Sequence, residues 1–388
     1  MDYQKLFLEI DSLSDKYVGI LEDLCNIESP SSYKEGVDAV GSYIINYMKQ
    51  FGFSVVIHEE TVSGNAICIK MNEDILSEPI CFSGHMDTVH PIGAFGTPAV
   101  RFDDETIPFS QRKVYGPGVL DCKGGIVGAM MAMEALYNIG YKKRPVYLIL
   151  QSDEEVGSSY SEKRTVEFMA QMAKNSIAFL NAEGNPNKFV IERKGIVTYE
   201  LEISGLAVHS SLCYEGVNAV TEAAYKILEL ERYKDKDGIT CNCSMISGGT
   251  TVNTVPDKCS FKVNIRFLTD DDFRKAEEIV KRVADTSYVF GSSCTVKQVT
   301  YRVNMPINEK NLALFNKVDK IFADAGLARM PHGRSNGGSD AADMSRYGIP
   351  SVDSFGVEGA WIHSINEYAY VASLPRCAKR LGAVALAL

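Results

Sequence analysis

The chain has 388 residues, of which 45% are hydrophobic and 23% are charged, and its formal net charge is −10. This length predicts two domains, and the acidic balance argues against nucleic acid or an anionic membrane as a partner. No apolar run approaches the roughly 20 residues of a membrane span, and the N-terminus does not resemble a secretory signal. Ten cysteines without a C-x-x-C pair favour reduced thiols and a cytoplasmic location.

Helix and strand patterns alternate through the first half of the chain. Apolar residues recur with a helical period over Tyr33–Phe51 and Lys123–Gly140, and a third helix is predicted at Thr165–Lys174. Short apolar runs typical of buried strands occur at Ser54–Ile57, Ala66–Met71, Pro79–Ser83, Val114–Leu120, Pro145–Gln151 and Ile177–Asn181. Such alternation predicts an α/β domain with a mixed, mostly parallel sheet flanked by helices.

The pattern changes near residue 190. Val197–Ser204 and Cys259–Phe267 alternate apolar and polar residues, as strands do when one face of an antiparallel sheet is solvated. Helical patterns accompany them at Val217–Leu230 and from Asp270 to Ala284. These features predict an α+β domain with a four-stranded antiparallel sheet and two helices on one of its faces.

The C-terminal part of the chain returns to the first pattern. Asn311–Ala325 has the period of an amphipathic helix, and Pro350–Phe355 is typical of a buried strand. The simplest organisation is one domain built from both ends of the chain, 1–189 and 303–388, with the smaller domain inserted at 190–302.

Metal-binding residue types follow four of the predicted strands. His85, Asp121, Glu155 and Glu183 each come shortly after an apolar run. Ligands of open α/β sheets bind beyond the carboxyl ends of the strands, so these side chains are expected to converge. Together with His363 they form a donor set that could hold two divalent ions. Asp121 would bridge the ions, and each ion would take one histidine and one glutamate.

Two more carboxylates complete the predicted chemistry. Glu154 precedes Glu155, and neighbouring side chains on a turn point to different sides, so Glu154 is predicted to be the general base. Asp87 can accept the second ring N–H of His85 and fix its tautomer. Each feature alone has an ordinary explanation, since acidic pairs are common at helix N-termini and Asp121 could simply begin a helix. The coincidence of all of them favours the metal centre.

The chain resembles the M20 family of di-zinc peptidases and amidohydrolases, which includes glutamate carboxypeptidase, peptidase T, acetylornithine deacetylase and succinyl-diaminopimelate desuccinylase. The matching segments, in the family's order, are SGHMDTVHP (Ser83–Pro91), GPGVLDCKGG (Gly116–Gly125), SDEEVGS (Ser152–Ser158), NAEG (Asn181–Gly184), GGTTVNTVPDKC (Gly248–Cys259), GGSDAAD (Gly337–Asp343) and WIHS (Trp361–Ser364). The resemblance implies the same five metal ligands, with Glu154 as base and Asp87 orienting His85. It implies two divalent ions, Zn²⁺ first, with Co²⁺ and Mn²⁺ as alternatives, and a cis peptide bond after Asp121.

The segment 190–302 resembles the family's lid and dimerisation domain, which implies a homodimer. The resemblance assigns His209 to oxyanion stabilisation in the partner's active site, and Asn253 and Arg266 to the substrate carboxylate. Gly338 would lie in a loop near that carboxylate. Without the resemblance, His209 and Arg266 would be interpreted as surface residues. The remaining histidines match no motif and are expected to be structural or exposed: His58, His90 and His332.

The main functional hypothesis is hydrolysis of an amide bond in a small peptide or an N-acyl amino acid. Glu183 favours the carboxypeptidase-like branch, because the aminopeptidase branch usually has aspartate there, and the tail GVEGAWIHSINEYAYV resembles glutamate carboxypeptidase. The alternatives are a tripeptide aminopeptidase or an amino-acid deacylase of the same family. From another class, a non-catalytic peptide-binding protein is the competing hypothesis, and the presence of Glu154 argues against it.

Overall fold

The computed structural model describes residues 2–184 and 187–388. Its helices are α1 (Tyr3–Ser12), α2 (Ser14–Asn26), α3 (Lys34–Lys49), α4 (Lys123–Asn138), α5 (Arg164–Met172), α6 (Ala219–Leu230), α7 (Asp270–Asp285), α8 (Glu309–Ala325), α9 (Asp340–Arg346) and α10 (Ser373–Ala387), with a 3₁₀ helix at Ser210–Glu215. Its strands are β1 (Ser54–His58), β2 (Ala66–Met71), β3 (Ile80–His85), β4 (Arg101–Phe102), β5 (Lys113–Tyr115), β6 (Val146–Gln151), β7 (Ala178–Asn181), β8 (Phe189–Arg193), β9 (Gly195–Ser204), β10 (Thr240–Gly248), β11 (Lys258–Phe267), β12 (Ser293–Arg302), β13 (His332–Ser335), β14 (Ser351–Val352), β15 (Gly359–Ala360) and β16 (Tyr368–Tyr370). Among the described residues, no helix combines the length and the apolar character needed to cross a bilayer.

The described residues form two compact units. The larger unit comprises Met1–Ile191, Ile307–Arg334 and Ser339–Leu388, and the smaller comprises Glu192–Pro306 and Ser335–Gly338. The larger unit therefore joins both ends of the chain. The short segment Ser335–Gly338 belongs to the smaller unit, although the sequence placed it with the C-terminal part of the larger one. The functional division into a catalytic domain and a lid stays a prediction.

A six-stranded mixed sheet forms the centre of the larger unit. Its strand order is β1-β2-β6-β3-β7-β14, in which β6, β3, β7 and β14 run parallel while β1 and β2 add antiparallel pairs. Successive side chains of a strand face opposite sides of a sheet. Accordingly, Ile80 and Phe82 of β3 join one buried apolar cluster, and Cys81 joins the other. Burial on both faces explains why these strands read as continuous apolar runs, and the predicted α/β class is confirmed.

Two details of the sequence interpretation were wrong in the larger unit. Of the predicted strand Val114–Leu120, only the first two residues lie in β5, which belongs to a separate small sheet of order β15-β16-β5-β4. The run contains Gly116-Pro117-Gly118, and Gly118 has a φ of +78° that ends an extended conformation. The sequence also assigned no element to α1 and α2, whose buried residues include Leu6, Ile10 and Leu24.

The smaller unit is built on a four-stranded antiparallel sheet of order β10-β11-β9-β12. Its buried cluster combines alternate residues of the strands, such as Leu201 and Val263, with Ala223 of α6 and Val280 of α7. The intervening strand residues form the polar face on the other side of the sheet. The predicted four-stranded sheet with two helices is confirmed, and α7 begins with a capping box between Thr269 and Asp272.

Candidate metal centre

Two of the predicted ligands are positioned by neighbouring parallel strands. His85 is the last residue of β3, and Glu183 follows β7 by two residues. The strands pair in register, with Ser83 opposite Asn181, so both side chains emerge at the same edge of the sheet. Nε2 of His85 lies 3.6 Å from Oε1 of Glu183.

Asp121 lies between the two predicted histidine ligands. Its Oδ1 is 3.1 Å from Nε2 of His85, and its Oδ2 is 3.3 Å from Nε2 of His363. One oxygen toward each imidazole is the arrangement expected of a bridging carboxylate. The peptide bond from Asp121 to Cys122 is cis, as the resemblance implied.

Asp121 reaches this position without following a strand of the main sheet. The helix α4 begins two residues later and approaches the end of β7 very closely. A Cβ atom built on Gly125 would overlap the carbonyl oxygen of Ala182. Only glycine allows this approach. Because Gly125 follows Asp121 by four residues and Ala182 directly precedes Glu183, the contact brings the segments that carry these two carboxylates side by side.

Glu155 completes the group on the other side of Asp121. Its Oε2 lies 3.3 Å from Nε2 of His363. The five predicted ligands thus form two overlapping sets that share Asp121. We call His85, Asp121 and Glu183 the first half-site, and His363, Asp121 and Glu155 the second half-site. The sequence predicted one histidine and one glutamate for each ion but did not say which belong together.

The electrostatics of the cluster favour the binding of cations. Burial, reinforced by the charge of Asp121, raises the pKa of Glu155 to about 8 and holds the pKa of Glu183 well above its usual range. Hydrogen bonds with Asp121 and Glu155 raise the pKa of His363 to about 10. Crowded, buried carboxylates need positive charge beside them. Two imidazoles and three carboxylates are also a donor set that suits Zn²⁺ and related ions, so the residues present fit a pair of divalent cations.

Asp87 connects both half-sites. Its carbonyl oxygen lies 3.0 Å from Nδ1 of His85, closer than its Oδ1 at 3.4 Å. Its two carboxylate oxygens accept hydrogen bonds from the backbone N–H groups of Glu154 and Glu155, each at 3.1 Å. Ser31 donates a further hydrogen bond of 2.6 Å to Oδ2. Asp87 therefore faces Nδ1 of His85 with both its carbonyl oxygen and its carboxylate, and it also holds the Glu154-Glu155 turn through its side chain.

Glu154 is buried beside the cluster. Its negative charge contributes to the raised pKa of both Glu155 and Glu183. Among the described residues, two groups of donor atoms are close enough to share one ion: His85 with Cys122 and Glu183, and His85 with Asp121 and Glu155. Neither group contains Glu154 or His363. A carboxylate that is close to the ligands without belonging to them is suited to proton transfer.

Cys122 follows the bridging carboxylate and lies inside the protein beside the cluster. Its buried Sγ lies within hydrogen-bonding distance of the Ala182 carbonyl oxygen, at 3.5 Å. Burial raises the pKa of this thiol well above its ordinary value, which keeps it protonated. All ten cysteines are free thiols.

Sequence reasoning missed three residues around the centre: Ser31, His90 and Glu367. Glu367 accepts backbone hydrogen bonds from Leu120 and Asp121, and its other oxygen lies 2.8 Å from Nε2 of His90. The only available signals were that Glu367 follows His363 by four residues and that His90 lies in the SGHMDTVHP segment. The other unassigned histidines are structural or exposed: His58 pairs with Glu60, and exposed His332 contacts the ring of Phe315.

The smaller unit carries the remaining predicted site residues. His209 is exposed and caps the 3₁₀ helix, with its Nδ1 accepting the backbone N–H of Ser211 at 3.2 Å. The backbone N–H of Ser210 donates to the carbonyl oxygen of Asn253 at 2.9 Å, which places Asn253 beside the segment that carries His209. An imidazole that accepts at Nδ1 carries its proton at Nε2, so the exposed nitrogen of His209 is a hydrogen-bond donor.

Arg266 and Gly338 lie together. Arg266 donates to the Asn336 carbonyl oxygen at 2.9 Å and to Oδ1 of Asn264 at 3.1 Å. A Cβ on Gly338 would lie 2.9 Å from Cδ of Arg302. Arg266 of β11 and Arg302 of β12 lie opposite the same residue, Ile196 of the intervening strand β9. The two arginines therefore lie on either side of one position of the polar sheet face. Burial and the charge of Arg302 lower the pKa of Arg266. The sequence did not single out Arg302.

Comparison with known proteins identifies the family. Residues 81–387 match the model of peptidase family M20/M25/M40. The chain belongs to this family. It is 26% identical over 361 residues to carboxypeptidase G2 of Pseudomonas sp. (strain RS-16), covering 92% of this chain and 85% of that protein. It is 25% identical over 390 residues to succinyl-diaminopimelate desuccinylase of Rickettsia massiliae, covering 93% and 96%.

Solved structures of the family share the fold. A tripeptidase of Staphylococcus aureus superimposes with a TM-score of 0.79 at 19% identity, covering 96% of this chain and 98% of that one. A Bacillus subtilis protein described as a dinuclear metal-binding peptidase of the M20 family gives a TM-score of 0.69 at 15% identity, covering 97% and 98%. The chain is thus an M20-family hydrolase of amide bonds.

Proposed function

We propose that this M20 enzyme uses two divalent ions, most simply Zn²⁺, to hydrolyse an amide bond in a small peptide or an N-acyl amino acid, in the manner of a carboxypeptidase. The observation that carries the proposal is the position of Asp121 between His85 and His363, with one glutamate beside each imidazole. Co²⁺ and Mn²⁺ are the alternative ions, since they accept the same donors.

The protein side chains account for the proton movements. Two divalent ions, when bound, lower the pKa of water and polarise a carbonyl group. Glu154 accepts the proton of the attacking water and delivers it to the leaving nitrogen. Asp87 keeps Glu154 in place through the hydrogen bond from the Glu154 backbone N–H. The turn therefore presents Glu155 and Glu154 in different roles.

Recognition of a substrate carboxylate is assigned to Asn253, Arg266 and the loop at Gly338. Arg266 supports this assignment, because its hydrogen-bond partners, Asn264 and Asn336, are neutral and leave its charge available to an anion. Arg266→Gln should raise KM for substrates with a free carboxylate. Arg282→Gln is the control, because Arg282 is an exposed arginine of the same unit that pairs with Glu229.

The proposal includes a homodimer formed through the smaller unit, in which His209 donates a hydrogen bond to the oxyanion in the partner's active site. The edge strand β10 and the helix α6 support it, because Met245, Ile246 and Leu228 expose large apolar side chains there. Ile246→Asp should give a monomer that folds and binds metal but loses most activity. A fully active monomer would exclude the role of His209 in trans.

A panel of blocked substrates tests the reaction class with Zn²⁺-loaded protein. A carboxypeptidase-like enzyme releases amino acids from N-acetylated dipeptides and spares dipeptide amides, which lack the free carboxylate. A tripeptide aminopeptidase gives the reverse result, and a deacylase cleaves only N-acyl amino acids. The aminopeptidase and deacylase outcomes are included because the chain is similar to a tripeptidase and to a desuccinylase. No turnover of any substrate by metal-loaded protein would favour a peptide-binding protein instead.

A cytoplasmic location is also part of the proposal. Its support is that all ten cysteines are unpaired and that seven of them, including Cys25 and Cys377, are buried. Reduced thiols are typical of proteins in a reducing compartment.

A further inference from the structure

The carboxylate of Glu367 is buried in contact with the metal-centre backbone. Only 1% of Glu367 is exposed. Its Oε1 accepts hydrogen bonds from the backbone N–H groups of Leu120, at 2.9 Å, and Asp121, at 3.0 Å. Its Oε2 lies 2.8 Å from Nε2 of His90, whose ring packs edge-on against Phe95. Both carboxylate oxygens are thereby satisfied, as burial of a charged group requires.

This contact joins two segments that supply the second half-site. Asp121 receives its backbone support directly from Glu367. Glu367 itself ends the loop that carries His363 and precedes β16, in which Tyr368 pairs with Tyr115 of β5. A single carboxylate thus fixes the bridging aspartate relative to the loop with the C-terminal histidine.

The first half-site has independent support. His85 and Glu183 follow strands β3 and β7, which are hydrogen-bonded neighbours in the main sheet. His363 has no comparable strand, because β15 ends at Ala360 and β16 begins at Tyr368. Loss of the Glu367 contact should therefore disturb the second half-site more than the first.

We propose that Glu367 and His90 form a positioning pair that sets the separation of Asp121 and His363 and thereby supports the ion of the second half-site. This inference rests on the proposed function, since it assumes that the cluster binds two ions. Neither residue contacts the substrate or the ion in this assignment. Glu367 acts through the Asp121 backbone, and His90 acts by orienting Glu367.

The experiment compares Zn²⁺ binding by metal-free full-length wild type and variants, using titration against a competing chelator. Glu367→Ala should weaken the ion of the second half-site by about 10- to 100-fold, the usual effect of removing a residue that supports a metal ligand. The ion of the first half-site should be weakened by a smaller factor, because it shares Asp121 but is also held by His85 and Glu183 at the ends of neighbouring strands. The Co²⁺ absorption spectrum should change most for the ion of the second half-site. Equal binding of both ions by Glu367→Ala and wild type would overturn the proposal.

Glu134→Ala is the matched control. Glu134 is also a buried carboxylate, 3% exposed, and it accepts hydrogen bonds from the hydroxyl groups of Tyr17 and Tyr47 at 2.8 and 2.7 Å. Its loss should destabilise the fold while both ions bind as in wild type. If Glu134→Ala weakened one ion as Glu367→Ala does, a general loss of stability would explain the effect and the proposal would fail.

Two milder variants keep the test decisive if Glu367→Ala does not fold. Glu367→Gln retains an oxygen for the two backbone N–H groups, so it should bind the ion of the second half-site more tightly than Glu367→Ala does. His90→Leu keeps apolar volume beside Phe95 but removes the partner of Glu367, and it should weaken the same ion by a smaller factor. Unchanged binding by His90→Leu would remove His90 from the pair. A wild type that binds fewer than two ions would instead overturn the proposed function.

Discussion

The two half-sites of the metal centre are built in different ways. In the first, His85 is only 1% exposed and stands at the end of a central strand. In the second, the side chain of His363 is 53% exposed and belongs to a loop with exposed Trp361 and Ile365. The main sheet positions His85 and Glu183 of the first half-site, whereas Glu155 follows β6 by four residues and Asp121 follows no strand of this sheet. The second half-site depends on hydrogen bonds between carboxylates and backbone, those of Asp87 with Glu155 and of Glu367 with Asp121.

This difference gives a role to the buried carboxylates around the centre that are not ligands. Hydrogen bonds from backbone N–H groups to ionised carboxylates are strong, and they fix a turn that has no strand partners. Asp87 and Glu367 each use two such bonds. A ligand on a loop can therefore be held as firmly as one on a strand, provided that a second residue holds its backbone.

The largest expected effect concerns a residue outside both half-sites. Glu154→Ala should reduce turnover by about 10²- to 10⁴-fold, because a positioned general base contributes that much. Metal content should stay near two ions per chain, because the Glu155 ligand is held by the hydrogen bond from its backbone N–H to Asp87, which does not depend on the Glu154 side chain. Steady-state kinetics and elemental analysis measure the two quantities. Loss of metal in proportion to activity would identify Glu154 as a metal ligand and would change the assignment of ligands to the half-sites.

Replacing the histidines should separate the half-sites. His85→Ala should weaken the first ion, and His363→Ala the second, each by at least about 100-fold, because a direct ligand matters more than a supporting residue. Competition titration with Zn²⁺ gives the two affinities. The same ion weakened by both variants would contradict the assignment of His85 to Glu183 and of His363 to Glu155.

The pH dependence of metal binding should reflect the second half-site. The pKa of Glu155 is raised to about 8 and that of His363 to about 10, so both groups hold protons at pH 7 in the metal-free chain. Zn²⁺ must displace these protons, and its apparent affinity should rise with pH, by up to about tenfold per unit for each proton released. Isothermal titration in buffers of different ionisation enthalpy counts the protons. Binding that is independent of pH from about 6 to 8 would contradict this electrostatic picture.

The smallest effect tests the support of the Glu154-Glu155 turn. Ser31→Ala removes the 2.6 Å hydrogen bond to Asp87 but leaves both backbone contacts of Asp87 in place. We expect about a 2- to 10-fold loss in kcat/KM, the scale of one hydrogen bond. Ser12→Ala is the control, because Ser12 is an exposed serine whose hydroxyl donates to the Glu9 carbonyl oxygen. An effect equal to that of Glu154→Ala would give Ser31 a much larger role.

The sequence predicted the fold class and the candidate ligands because both depend on local patterns. Apolar runs followed by His85 and Glu183 are visible in the chain, and their strands adjoin as expected. The strand before Asp121 was wrong, because Gly116-Pro117-Gly118 interrupts an apolar run that composition alone does not distinguish from a strand. The roles of Ser31 and Glu367 were not predictable, since their partners are backbone or side-chain atoms far away in sequence.

The contact of Gly125 with Ala182 limits how this enzyme can change. The space there is smaller than a methyl group, so any other residue would force α4 away from the sheet and carry Asp121 with it. Substitutions that change substrate specificity are therefore not expected at this contact and should occur in the outer loops instead. Mutagenesis libraries aimed at altered specificity should therefore leave the first turn of α4, Lys123-Gly124-Gly125, unchanged.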